Sequence, residues 1–319
     1  MSTLVNEFLT YARSCGLSFA NEIICDGLLH RIQVEGDKQG KKNGWYIYHD
    51  EIIPVCIFGT WKGEQKHVWS ARHESELNKK ERDQLKRMLA EASRKARRQR
   101  QLEQKSTAVD CGRIYSQAKP CYQHAYLDKK IIQTDDCLKI GDKGEMIIPV
   151  VDCHGVISSL QYIYPNGRKM FHPNGKVSGG FCPIVGKGEA IYICEGFATG
   201  KTINQSTGNS VYVAFNCGNL FDVARFVQSR YPHNMVVIAG DDDFMTKTPI
   251  DNPGRHHAEK VAISLGIHAI YPSFDAYHRK ADHTDFNDMH YEGETNSIND
   301  YVKNHINDRL IDLIGGELT

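Results

Sequence analysis

Apolar positions along the chain fall into distinct patterns. The opening VNEFLTYARSCGL repeats apolar residues at helical spacing, and LLHRIQV, GWYIYH, IPVCIFG and HVWSARH follow as apolar runs of strand length. This predicts an α+β module over residues 1–73. The stretch KKERDQLKRMLAEASRKARRQRQLEQK then breaks the apolar pattern. It has no Gly or Pro and is rich in strong helix formers, so residues 74–105 are predicted to carry a long, largely solvated helix. Strand patterning returns over 106–186, where MIIPVVD and VISSLQYIY are joined by a Cys-His-Gly turn and followed by the polar PNGRKMFHPNGKVSGGF, predicting two hairpins.

From Ile191 the pattern becomes strand and helix in alternation. AIYIC, NSVYVAF, MVVIAG and HAIYPSF read as strands, and KTINQS, NLFDVARFVQSRY, GRHHAEKVAISLG and SINDYVKNHINDRLIDLI as helices. That order predicts an α/β domain over 187–319, a parallel sheet with helices on both faces.

Composition narrows the classes. A chain of 319 residues, 40% hydrophobic, is enough for two or three cored domains. No charged-then-apolar leader follows Met1 and no apolar run nears the roughly 18 residues of a membrane span, so a cytoplasmic protein is expected. The ten cysteines are scattered without a C-x2-C pair and read as reduced thiols. Cys121-x-x-His124, with Cys111 and Cys137 nearby, has the ligand types for zinc but lacks a second close pair, and no zinc is expected.

The net charge of zero hides an asymmetry. Residues 79–105 hold eleven Lys/Arg against four Asp/Glu, leaving minus seven on the rest. Such a helix can simply join two domains, or it can track nucleic-acid phosphates through cations such as Arg94, Arg97 and Arg98, gaining affinity by counterion release. In the amino-terminal module Lys38, Lys41, Lys42, Trp45, Trp61, Lys62, Lys66 and Trp69 mix cations with aromatics. That composition suits stacking on unpaired bases, with Trp61 and Lys62 foremost; tryptophans packed in a core are the competing explanation.

Ligands of open parallel sheets bind beyond the carboxyl ends of the strands, and acids are placed there three times. Glu195 follows AIYIC, Asp241, Asp242 and Asp243 follow MVVIA, and Asp285 and Asp288 lie in Thr-Asp-Phe-Asn-Asp after the fourth strand. Converging carboxylates suit Mg²⁺ or Mn²⁺ and imply phosphoryl transfer, in which two ions about 4 Å apart can hold both the attacking and the leaving oxygen. A single Asp triple would read as a solvated turn; three acidic clusters at successive strand ends favour a site. The segment Gly196-Phe-Ala-Thr-Gly200-Lys201-Thr202 invites a P-loop reading but is one residue short between its glycine and the Gly-Lys pair. Lys201 is still expected to meet a phosphate at that helix amino terminus.

In order and spacing, Glu195-Gly196, Asp241-x-Asp243 and Asp285-Phe-Asn-Asp288 resemble the three motifs of the Toprim family, over about residues 187–315. The family includes bacterial-type primases, topoisomerases and nucleases. The segment from Met146 through Phe181 is similar to the one that precedes Toprim in primases of conjugative plasmids and satellite phages, and GWYIYH, IPVCIFGTWKG and the basic helix resemble the amino-terminal part of the same proteins. The resemblance implies a DNA primase that copies single-stranded DNA into short RNA primers from nucleoside triphosphates. It gives Glu195 a catalytic role alongside Asp241 and Asp243, makes metal ligands of Glu195, Asp241, Asp243, Asp285 and, less firmly placed, Asp288, and puts Arg168, Lys169 and Lys176 near nucleotide or template phosphates. The zinc-ribbon module and helicase domain of many relatives have no counterpart here, so template recognition and unwinding are expected to fall to other surfaces or to a separate helicase. Two rivals stay open, a metal-dependent Toprim nuclease and a catalytically silent single-strand-binding module. A topoisomerase would need a nucleophilic tyrosine in a second large domain.

Overall fold

The computed structural model describes residues 3–19, 22–35, 37, 42–50, 53–60, 66–72, 77–248, 250–274, 279–291 and 298–316. The chain divides into two compact units, Met1–Leu102 and Glu103–Thr319.

In the first unit α1 (Thr3–Ser14) buries Val5, Phe8 and Ala12 along one stripe, as its spacing dictates. Strands β1 (His30–Ile32), β2 (Gly44–His49), β3 (Val55–Thr60) and β4 (Lys66–Ser70) form an antiparallel sheet in that order. Phe8 is fully buried against Phe19, Tyr48, Phe58 and Trp69, with ring centroids 5.3–5.8 Å apart. Trp69 is therefore core, and Trp45 is half-buried. Trp61 and Lys62, together with Lys38 and Lys41, lie outside the described residues.

Helix α2 (Lys79–Gln117) begins with a reciprocal cap, Asn78 Oδ1 accepting from the Glu81 amide (3.0 Å) and Glu81 Oε2 from the Asn78 amide (2.9 Å). It runs twelve residues beyond the expected end at 105, because Cys111, Ile114 and Tyr115 supply an apolar stripe that packs on Ile147, Leu160 and Tyr162. Arg94, Arg97 and Arg98 are exposed.

The second unit continues through β5 (Lys119–Pro120), α3 (Ala125–Lys130), β6 (Lys139–Ile140), β7 (Met146–Val151), β8 (Ile157–Ile163) and β9 (Lys169–Phe171), whose strands pair antiparallel in chain order. Pro149 is tolerated in β7 because the two-residue β6 pairs only with Met146 and Ile147, so no ladder partner is lost on that side. Then come β10 (Cys182–Ile184), β11 (Ile191–Cys194), α4 (Phe197–Thr207), β12 (Ser210–Val213), α5 (Leu220–Arg230), β13 (Val236–Ala239), α6 (Pro253–Leu265), β14 (His268–Ile270) and α7 (Ile298–Gly316). Their sheet has the order β10-β12-β11-β13-β14; β10, not anticipated from the sequence, is antiparallel to β12, and the other neighbours are parallel.

Alternation along the parallel strands divides the core. Tyr192, Cys194, Val211, Val213, Val237 and Ala239 pack with α4 and α7, whereas Ile191, Ile193, Tyr212, Ala214, Val236 and Ile238 pack with α5 and α6. Met146, Ile148 and Ile163 of the antiparallel sheet join the first of these cores. Among the described residues no helix is long and apolar enough to cross a membrane.

Candidate active site

Strand order reverses at β11: the chain passes through α4 to β12 on one side of it and then through α5 to β13 on the other. A crevice opens at such a switch point beyond the strand ends, and Glu195 and Asp241 follow the two strands that flank it. Residues 196–200 form no phosphate-cradling loop. Gly196 is the N-cap of α4 and Phe197–Gly200 are its first turn. A Cβ on Gly200 would lie 2.9 Å from Val213 Cγ2 and 3.1 Å from Cys194 Sγ, so glycine allows α4 to lie close on the sheet.

Lys201, expected to meet a phosphate, has a partner within the protein. It sits in the second turn of α4, 7% exposed, and its Nζ donates to Asp135 Oδ2 at 2.8 Å. Its charge is already matched inside the protein, and a phosphate contact would require breaking that pair.

Glu195, Asp241 and Asp285 are half-buried and lie close enough to perturb one another. Burial, then the charges of Asp243 and Asp285, push the Glu195 carboxyl up to about 7, against a hydrogen bond from the Cys217 amide. Burial, followed by Glu195, Asp285, Asp243 and Asp288, holds the Asp241 carboxyl well above the usual range. Burial and Asp288 raise Asp285 as well. Among the described residues neither Glu195 Oε1 nor Asp241 Oδ1 has a hydrogen-bond partner. The chain turns toward Glu195 through Phe215, whose left-handed backbone (φ 71°) is costly for an aromatic residue and is stored beside the site.

The Asp285-Phe-Asn-Asp288 segment behaves differently. Asp285 Oδ1 accepts from the Asn287 and Asp288 amides (2.8 and 3.0 Å), and Asp288 Oδ2 accepts from the Thr284 and Asp285 amides (2.9 and 3.3 Å). Their other oxygens take Thr199 Oγ1 (2.9 Å) and Lys130 Nζ (3.1 Å). These two acids build a reciprocally bonded turn, and Lys130 partly neutralises it. Attraction from Asp285 and Asp288 outweighs burial to raise the Lys130 pKa. Asn287 fixes Lys130 in turn by donating to its carbonyl (2.7 Å) and to Thr202 Oγ1 (3.0 Å).

Lys169, on β9, belongs to the same charge cluster. The residue is exposed, yet its ammonium is crowded enough that desolvation lowers its pKa in spite of Asp285 and Asp241. It lies over the Tyr126 ring, 5.4 Å from the centroid. Arg168 is turned out onto the Tyr164 ring (4.5 Å) and Lys176 is exposed.

Asp243 Oδ2 accepts from the Gly254 amide (3.0 Å) at the amino terminus of α6. Asp242 points elsewhere, to Arg279 (2.9 Å), Arg255 (3.3 Å) and Asn252. Burial pushes its carboxyl up, but the hydrogen bonds from Asn252 and Arg279 and the guanidinium charges win and hold it low.

Among the described residues no three His, Cys, Asp or Glu side chains already form a metal cage. Mg²⁺ ordinarily takes one or two carboxylates and completes its shell with water and phosphate, so the unpartnered oxygens of Glu195 and Asp241 suit such an ion. The Cys121–His124 pair does different work: Cys121 Sγ donates to the Gln123 carbonyl, His124 Nδ1 caps α3 by accepting from the Tyr126 amide (3.1 Å), and Nε2 bonds the Gly144 carbonyl (3.0 Å).

The sequence reading missed Tyr126, Lys130, Thr199 and Arg279. Each reaches the site from outside the acidic motifs, and only the Lys-rich end of AYLDKK hinted at a cation.

No protein-family model matches the chain. Two DNA primases named TraC from Escherichia coli are each 32% identical to it, one over 281 residues (84% of this chain, 19% of that protein) and one over 260 residues (79% and 24%). The chain is similar to a stretch of DNA primase TraC. It spans only about a fifth to a quarter of the length of those relatives. Among solved structures, the primase fragment of the bacteriophage T7 primase-helicase protein is 14% identical, with a TM-score of 0.39 over 56% of this chain and 73% of that one. The primase domains bound to an RNA/DNA hybrid and dTTP in the T7 lagging-strand polymerase assembly give 14% and 0.35, over 51% and 86%. Both superpositions are too loose to identify a fold.

Proposed function

We propose that the chain carries the catalytic centre of a DNA primase with a Toprim-type site, which synthesises short RNA primers on single-stranded DNA from nucleoside triphosphates. The observation that carries this reading is the pair of unpartnered carboxylate oxygens, Glu195 Oε1 and Asp241 Oδ1, at the strand ends beside the switch point. The sequence similarity to DNA primase TraC supports primase over the other Toprim activities.

In this reading Glu195 helps to activate the attacking 3′-hydroxyl; its carboxyl, raised to about 7 by burial and the neighbouring acids in the metal-free protein, would ionise as the cation binds. Glu195, Asp241 and Asp243, with Asp285 behind them, would hold Mg²⁺ or Mn²⁺, which when bound supplies charge neutralisation for the triphosphate. Lys169 and Lys130 bring positive charge to the same cleft from β9 and α3, and Lys169 is the proposed phosphate contact. Asp288 serves the turn and Lys130. Exposed Arg94, Arg97 and Arg98 on α2 are the proposed backbone contacts of the template, and a separate helicase is the expected partner.

Incubating the protein with single-stranded DNA, labelled nucleoside triphosphates and Mg²⁺ or Mn²⁺, beside an Asp241→Ala, Asp243→Ala double variant, tests this. New short oligonucleotides from the unmutated protein alone are expected. Template degradation lost in the variant would replace the primase by a nuclease, and retention of the DNA without any chemistry would leave a binding module.

A further inference from the structure

Besides Glu195 after β11, the acids of the site arrive on two separate loops, Asp241 and Asp243 after β13 and Asp285 after β14. Like charges so close repel one another. Something must hold the loops together, and Arg279 bridges them. Its Nη1 lies 2.9 Å from Asp242 Oδ2, its Nη2 donates to the Asp242 carbonyl (2.9 Å) and the His283 carbonyl (3.1 Å), and its Nε donates to the same His283 carbonyl (3.3 Å). The guanidinium also lies against two rings, 3.6 Å from the Phe244 centroid and 4.7 Å from that of Phe274. The Asp242 amide adds a direct link to the Thr284 carbonyl at 2.7 Å.

Asp242 stands between Asp241 and Asp243, so a bond to its side chain and carbonyl fixes the backbone that aims both neighbours. His283 and Thr284 immediately precede Asp285. The bridge needs a planar fork with several donors, which an ammonium cannot reproduce. Its side chain is 18% exposed, so its contacts are sheltered from solvent competition.

We propose that Arg279, acting through Asp242, is a positioning residue that sets the spacing of the two acidic loops and thereby the affinity of the site for a divalent cation. This rests on the reading that Glu195, Asp241 and Asp243 take such an ion. Groups that orient metal-binding carboxylates typically contribute a factor of about 10 to 100 in affinity.

The test is Mn²⁺ titration of the purified full chain followed by electron paramagnetic resonance, with primer synthesis measured across the same concentrations. Arg279→Lys is expected to raise the Mn²⁺ concentration at half-saturation about 10-fold or more, in both readouts, while the rate at saturating Mn²⁺ returns close to that of the unmutated protein. A residue needed only for folding would lower the amount of Mn²⁺ bound without moving the midpoint. If Arg279→Lys fails to fold, Asp242→Asn carries the same test, with a midpoint shifted in the same direction. An unshifted midpoint, in a protein whose Mn²⁺ binding is abolished by Asp241→Ala, overturns the clamp alone. Mn²⁺ binding that is absent, or indifferent to Asp241→Ala, overturns the metal reading and the clamp with it.

Discussion

Replacing Glu195 by Gln should stabilise the metal-free protein at alkaline pH while abolishing its chemistry. The Glu195 carboxyl titrates near 7 in the folded chain and at its ordinary 4.5 in the unfolded one. Between those values the folded chain keeps a proton that the unfolded chain has released, so stability falls as pH rises through that window. An interval from 4.5 to about 7, at about 1.36 kcal/mol per pH unit, corresponds to about 3 kcal/mol. Asp243 and Asp285 share the cluster and relax when one charge disappears, so the expected gain for Glu195→Gln at pH 8 is about 1–3 kcal/mol. Urea midpoints at pH 5 and pH 8, in chelator, measure it. The unmutated protein should lose stability across that range and the Gln variant should lose distinctly less. Saturating Mg²⁺ should restore the unmutated protein at pH 8, by about 2.7 kcal/mol at a hundredfold excess over Kd, and do far less for the variant. Equal pH dependence of the two proteins in chelator would refute the reasoning.

Three further outcomes follow from named contacts. Lys201→Met leaves the half-buried Asp135 without its partner and should cost about 1–3 kcal/mol in a urea titration, with the KM for nucleoside triphosphate unchanged, whereas a true phosphate ligand would raise KM. In Gly254→Ala the added Cβ would lie 2.7 Å from the Asp241 carbonyl and 2.9 Å from Asp243 Oδ2; the displaced loop should reduce the thermal shift produced by Mg²⁺ even where the metal-free melting temperature is kept. Asn219→Ala removes donors to the Gly180 (2.7 Å) and Ala214 (2.9 Å) carbonyls and the acceptor of the Gly179 amide (2.7 Å), which should lower the unfolding free energy by about 3 kcal/mol or more.

Legibility tracked the range of the interactions involved. Strand-length runs and helical stripes are local, so GWYIYH and the NLFDVARFVQSRY helix could be placed from their own residues, and the acids at strand ends followed from where such strands stop. Helix α2 outran its expected end because Cys111 and Tyr115 gain their apolar setting from β7 and β8, which lie far along the chain. The partner of Lys201 could not be read from its neighbours, and its helix begins four residues earlier than the glycines around it suggested. In the structure Gly200 serves close packing of a helix on its sheet, and the lysine answers Asp135, 66 residues away. Arg279 was invisible for the same reason, since its meaning lies in an aspartate 37 positions earlier and in carbonyls that no residue type announces.

The unequal treatment of the five acids is the strongest reason to regard this crevice as a working site. Had burial of carboxylates been an accident of packing, each would be expected to find partners, because an unsatisfied buried oxygen costs the fold about 1–3 kcal/mol. Asp285 and Asp288 do find them, in backbone amides, Thr199 and Lys130. Asp243 takes the Gly254 amide. Glu195 Oε1 and Asp241 Oδ1 are left without any among the described residues, although Lys169 and Lys130 lie near enough to influence the cluster. Those cations are bound elsewhere, to the Tyr126 face and to Asp288. A fold that satisfies the supporting acids and leaves one oxygen of each of the leading pair bare keeps an unmet demand for positive charge beyond the ends of β11 and β13, where a cation and the phosphates it carries would meet it.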